Sequence, residues 1–349
     1  MNVRIRKALS VAVVVGAVAG VTLLAQTQMV PDTVAGHVAA AKAAGGTMWP
    51  SLVKQLCTPA EEAPAPPAAR GAQPPPPQGP PARSTWYHEP LHVFDNMWLF
   101  PTADVGAWAV KTSAGIIMLD TTYGYSVKEL IADNMVKVGL NPADIKAIFV
   151  THGHGDHFGG VKYLQELYNP RVFISTEDWD SMLKPPANPN PNPAQQNLNP
   201  VPKKDGIATD GMKYTLGDTT ITVVKTPGHT EGTISFLIPV KLNGQPHVAA
   251  MWGGTALSRG TGIPHLTMYS ASAKKFAKIA ADAKADIMLS NHERFGEANR
   301  LMGLRKANPT GPDPFVRGID GIQRYTQVLD QCAQAIVVAL RAAPPATMN

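Results

Sequence analysis

The chain has 349 residues, 44% of them hydrophobic, enough to bury the core of one large domain or two small ones. Its formal charge of +5 includes Arg4, Arg6 and Lys7, which leaves +2 for the remainder. That near-neutral remainder, with no basic run interleaved with aromatics, speaks against a nucleic-acid partner and leaves a small-molecule substrate as the expected one. The first 28 residues have the pattern of a secretory signal: a positive Arg4–Lys7 stretch, an apolar run from Ala8 to about Ala25, then Gln26-Thr27-Gln28. An uncleaved anchor is the alternative, because the run is about long enough to cross a bilayer. Small residues favour cleavage, a periplasmic or secreted location, and no stable membrane partner afterwards.

Residues 29–85 read as a leader, with a short helix in 29–57 and a Pro/Ala-rich linker centred on Pro74–Pro77. The folded domain is expected over 86–341. Cys57 and Cys332 sit near its two ends. They either pair across the fold in an oxidising compartment or remain two buried thiols.

Within the domain, Leu91–Phe100, Val105–Lys111 and Gly115–Asp120 read as strands. Ser126–Val138 has helical spacing and ends at Gly139 and Pro142. Ile145–Val150 is a short buried strand. Phe158–Tyr168 is predicted helical, Arg171–Ser175 a strand and Glu177–Lys184 a short helix. Residues 185–202 are rich in Pro and Asn with no apolar periodicity, and read as an exposed loop rimming a cleft. Strands follow at Met212–Leu216, Thr219–Lys225, Gly232–Val240, His247–Trp252 and Asp286–Ser290, with helices at Ala271–Ala283, Arg294–Leu304 and Ile319–Leu340. Two runs of strands, each closed by helices, predict an α+β fold with two packed sheets and helices outside, a four-layer αβ/βα sandwich.

The chemistry concentrates in Thr151-His152-Gly153-His154-Gly155-Asp156-His157, directly after an apolar strand. Three of the ten histidines and a carboxylate fall within six residues. Imidazole and carboxylate are the non-thiol ligands zinc prefers. The two glycines let the backbone turn so that the side chains between them converge. Four such donors are too many for one catalytic zinc, which takes three protein ligands and leaves a position open. Two three-ligand pockets need two more donors. His229, in Thr226-Pro227-Gly228-His229-Thr230, and His292, in Ser290-Asn291-His292-Glu293, both stand where a predicted strand ends.

These motifs resemble the metallo-β-lactamase superfamily over about residues 90–305. The resemblance implies the αβ/βα sandwich and a hydrolase with two zinc ions. His152, His154 and His229 would hold one ion; Asp156, His157 and His292 would hold the other. Asp156 would also orient the nucleophile as a catalytic residue, and Asp120 would lie behind the ligands. Many members carry a bridging acid after Gly, and others Gly-Gly-Cys. Here Gly253-Gly254-Thr255 has neither acid nor thiol, which resembles the β-lactamase subclass with an Asp-His-His second site. Thr255 and Ser258 are candidate contacts for a substrate carboxylate, with ordinary turn hydroxyls as the alternative. The expected reaction is opening of a β-lactam ring. Hydrolysis of another ester, thioester or lactone is the second reading, and an iron-holding binding or redox module the third.

Overall fold

The structure, a computed structural model, describes residues 29–61, 79–184 and 198–343. The expected signal segment and the Pro-rich centre of the linker lie outside the described residues, as do residues 185–197 of the Pro/Asn-rich loop. Among the described residues no helix is long and apolar enough to cross a membrane.

Two helices open the described chain, α1 (Val34–Gly45) and α2 (Pro50–Glu61). A seven-stranded sheet follows: β1 (Leu91–Phe94), β2 (Met97–Pro101), β3 (Gly106–Thr112), β4 (Gly115–Leu119), β5 (Ile145–Phe149), β6 (Arg171–Ile174) and β7 (Gly206–Ile207). The first four strands form an antiparallel meander, and β4 to β7 are parallel. The crossovers carry a π-helical stretch, Lys128–Asp133, running into α3 (Asn134–Lys137), then α4 (Gly155–Phe158), α5 (Val161–Tyr168) and α6 (Thr176–Leu183). The second sheet has the order β12-β11-β10-β9-β8, built from β8 (Lys213–Leu216), β9 (Thr219–Lys225), β10 (Ile234–Leu242), β11 (Gln245–Trp252) and β12 (Ile287–Ser290). Its helices are α7 (Ile263–Asp282), α8 (Glu293–Gly296), α9 (Ala298–Ala307) and α10 (Gly318–Ala342).

Three apolar clusters define the four layers. Trp108, Phe149, Phe236 and Met251 belong to the one between the sheets. Leu130, Met135, Leu164 and Trp179 join the outer face of the first sheet to its helices. Trp252, Phe276, Tyr325 and Leu329 join the second sheet to α7 and α10. The α10 sequence dictates its burial: Ile322, Tyr325, Leu329, Cys332 and Ile336 recur every three or four residues and form one buried stripe. The αβ/βα sandwich expected from the strand order is therefore present.

Several local expectations are revised. Leu91–Phe100 is a hairpin rather than one strand, because Asp95-Asn96 turns the chain and Phe94 pairs with Met97. The 263–282 helix starts eight residues before the expected Ala271, at Ile263 with Pro264 in its first turn, where the missing N–H costs nothing. The leader is part of the same compact unit: Val38, Trp49, Leu52, Leu56 and Cys57 are buried in the cluster built around α10. Trp49 Nε1 donates to Gly321 O at 2.9 Å, and Cys57 and Cys332 form a disulfide between α2 and α10.

Candidate metal centre

Strand ends deliver the chemistry-bearing residues to one edge of the sandwich. Asp120 follows β4, the His152–His157 turn follows β5, and His229 follows β9. Gly253 follows β11 and His292 follows β12. Two glycines let the strands come this close. Gly228 has φ +138°, and a Cβ there would lie 2.5 Å from the Tyr269 backbone. A Cβ on Gly253 would lie 1.9 Å from Ile234 O.

The six expected donors form two groups, His152/His154/His229 and Asp156/His157/His292, with the donor atoms of each group within 4.8 Å of one another. His229 Nε2 lies 3.1 Å from His152 Nε2 and 3.2 Å from His154 Nδ1. In the second group His157 Nε2 lies 3.3 Å from His292 Nε2 and 3.4 Å from Asp156 Oδ2, and His292 Nε2 lies 3.9 Å from that oxygen. The rings of His152 and His157 are 4.1 Å apart, so the groups adjoin.

The outer ring nitrogens test whether these donors suit a cation. His152 Nδ1 donates to Gly253 O (3.0 Å) and His229 Nδ1 to Ala256 O (2.8 Å). Carbonyls only accept, so each Nδ1 carries the proton and the two facing Nε2 atoms present lone pairs to each other. No hydrogen bond relieves that contact; a cation between them does. Burial, with the neighbouring histidines adding to it, holds His152 well below its usual pKa and lowers His229 to about 3, so both rings stay neutral. This is the state in which imidazole binds metal.

The second group carries more negative charge. Burial disfavours a charged His157, but Asp120 and Asp156 outweigh it and raise this imidazole to about 10. A proton and a cation are thus alternative occupants of its Nε2, and metal entry there releases the proton. Burial would raise Asp156, yet His157 and His292 hold its carboxyl well below the usual range. Asp120 is fully buried with φ +61°, a sparsely populated conformation for a non-glycine residue. Its Oδ1 accepts from Thr151 N (2.7 Å), and its Oδ2 accepts from Thr151 Oγ1 (2.9 Å) and His157 Nδ1 (2.8 Å). It thus stands behind His157, on the outer ring nitrogen, and orients that ring. His292 Nδ1, itself buried, points to Asp104 Oδ1 at 3.5 Å.

The substrate-contact candidates fare differently. Thr255 is buried, with its hydroxyl 3.5 Å from both Ser290 Oγ and Tyr325 OH, so it packs under the site and offers nothing to a substrate. Ser258 is exposed and engaged in capping the turn at Arg259–Thr261. Residues that sequence reasoning passed over line or support the centre instead. Tyr123 stacks on Tyr125 (5.0 Å between centroids), which meets Trp86 edge-on. Burial and the nearby Asp156 carboxylate push the Tyr123 hydroxyl pKa up. Asn199, at the far end of the Pro/Asn-rich loop, accepts from Gly124 N and packs where side chains on Gly155 and Gly159 would collide with it.

Asp178 on α6 was also missed, since only its spacing to a helix cap was visible in sequence. Its Oδ2 accepts from Gly153 N (3.0 Å) and Thr230 Oγ1 (2.9 Å), clasping the loops that carry His152, His154 and His229. Burial raises its carboxyl pKa, against the pull of those donors. Asp178→Ala is expected to weaken the metal affinity of the His152/His154/His229 group by about 10- to 100-fold and to spare the other group. An equilibrium zinc titration checks this, and unchanged affinity at the first pocket would contradict the clasp.

Comparisons agree with this geometry. Residues 104–241 match the family model described as the metallo-beta-lactamase superfamily. A hydroxyacylglutathione hydrolase of Francisella tularensis subsp. novicida is 28% identical over 148 residues, 42% of this chain and 48% of that protein. The chain thus spans about half the length of the curated relatives it matches first. Among solved structures, a subclass B3 metallo-beta-lactamase of Bradyrhizobium japonicum aligns with TM-score 0.60 and 28% identity, over 70% of this chain and 92% of that one. The metallo-beta-lactamase of Legionella gormanii aligns with TM-score 0.63 over 74% of this chain and 98% of that one, and at 20% identity it speaks to the fold alone.

Proposed function

We propose that this chain, which belongs to the metallo-β-lactamase superfamily and has subclass B3 enzymes as structural neighbours, is an exported two-zinc hydrolase that opens β-lactam rings. The observation that carries the reading is the second ligand group. Asp156, His157 and His292 stand together, while the Gly253–Thr255 turn contributes no donor to either group. The Cys57–Cys332 disulfide supports an oxidising, extracytoplasmic compartment, as does the signal-like start of the sequence.

His152, His154 and His229 would hold one ion, and Asp156, His157 and His292 the other. Zinc held by such donors supplies a water acidified to a pKa of about 7 and a Lewis acid that polarises a carbonyl. The chain's own residues do the rest. Buried His152 and His157 close the floor, while exposed His154 marks the side from which substrate arrives. Asp156 remains ionised, so its carboxylate accepts a hydrogen bond from the attacking water and aims it. Gly253 O, Ala256 O and Asp120 keep the imidazoles from turning, which preorganises the site before substrate enters.

Thioester hydrolysis is the second reading, favoured by the hydroxyacylglutathione hydrolases among the relatives. The two separate in one assay. Zinc-loaded protein is given a chromogenic cephalosporin, a glutathione thioester and a lactone, with and without a chelator. Chelator-sensitive turnover of the cephalosporin well above the other two is expected. Turnover of the thioester alone would replace the β-lactam reading.

A further inference from the structure

We infer that Asn291 is a positioning residue that ties the two metal pockets into one unit, an inference that rests on the two-zinc reading above. Asn291 follows β12 and directly precedes His292, and it is buried to 1% exposure. Its Nδ2 lies within hydrogen-bond distance of three acceptors, Gly253 O (2.8 Å), Thr151 Oγ1 (3.0 Å) and Asp120 Oδ2 (3.1 Å), which share its two N–H groups. Gly253 O is the acceptor that fixes His152 in the first pocket. Asp120 Oδ2 is the acceptor that fixes His157 in the second. One amide therefore stands on the orienting atom of a ligand from each pocket, and its backbone leads straight into a third ligand, His292.

Chemistry fixes the orientation of that amide. Gly253 O and Asp120 Oδ2 can only accept, and Thr151 Oγ1 spends its own hydrogen on Asp120, so only the NH2 group can face them. Asn291 Oδ1 is then left buried without a hydrogen-bond partner among the described residues. A side chain kept only to fill space would not need a stranded polar atom, so the amide serves through its two N–H bonds. The backbone is anchored as well: Gly106 N donates to Asn291 O at 2.8 Å, which pins the end of β12 to the start of β3 in the other sheet.

Asp104 provides the contrast, because its carboxylate faces the outer nitrogen of His292 and the Arg294 guanidinium, and among the described residues it makes no ion pair or hydrogen bond with the first pocket. Losing the Asn291 amide should loosen both pockets, whereas losing the Asp104 carboxylate should loosen one. Asn291→Asp keeps the shape and sets an acceptor against two acceptors; Asn291→Ser keeps one shorter donor. The test titrates metal-depleted full-length protein with cobalt(II), followed by its visible absorption, and with zinc against a chromophoric chelator. Wild type should take two equivalents. Both Asn291 variants should weaken both binding steps by about tenfold or more, and Asp104→Asn only one. A folded Asn291 variant that keeps either step at wild-type affinity overturns the inference. So does failure of both variants to fold where metal-depleted wild type folds, which would make Asn291 a core residue. A wild type that lacks two binding steps would instead remove the two-zinc reading itself.

Discussion

His154→Ala is expected to lower kcat/KM by about three orders of magnitude, ~4 kcal/mol of transition-state stabilisation, while zinc content falls from two ions per chain to one. The effect should fall on chemistry rather than on folding. His154 is exposed, and among the described residues its ring makes one hydrogen-bond contact, Nδ1 with His229 Nε2, so removing the ring leaves the apolar core untouched. Its neighbours His152 and His229 retain their carbonyl acceptors and remain in place, but two donors hold zinc far less well than three. Steady-state kinetics, elemental analysis and a thermal melt on the same preparation check the three parts. Full zinc content with unchanged rate would remove His154 from the centre.

The second large effect concerns stability. Replacing Cys57 and Cys332 by serine together should cost about 3–5 kcal/mol and lower Tm by ~6–15 °C. The bond closes a loop of sequence separation 275, so its loss frees a large conformational space in the unfolded chain. It also joins α2 to α10 in the middle of an apolar cluster, with both cysteines buried among Leu56, Leu329 and Ile336. Two serine hydroxyls there would add a desolvation cost to the entropic one. Thermal melts of the wild type and the double variant, with the wild type repeated in reductant, measure the effect. A shift of less than about 2 °C would mean that the helices hold to the body by packing alone.

Both expectations return to how far the chain could be read in advance. The His152–His157 turn was legible because its donors are local: alternation with glycine over six residues suffices to aim them at neighbouring points. His229 and His292 were legible one step less directly, through their place after predicted strands in a fold whose layers follow from element order. Asp120 was singled out only through the family resemblance. Where expectation and structure diverged, a long-range contact was responsible. Thr255 looks like a turn hydroxyl in sequence, yet Ser290 and Tyr325, 35 and 70 residues away, enclose it. The 29–61 leader has no conspicuous motif, yet it packs as two helices against α10.

Composition and local periodicity thus carried the layer order, the ligand types and the grouping of four donors on one turn. These depend on residues within a few positions of one another. The clasp by Asp178, the amide of Asn291 between the pockets and the union of Cys57 with Cys332 arise only on folding. Each depends on the distance between atoms far apart in the chain, and a hydrogen bond or disulfide exists only within a few tenths of an ångström of its proper length, a tolerance that spacing along a sequence cannot express.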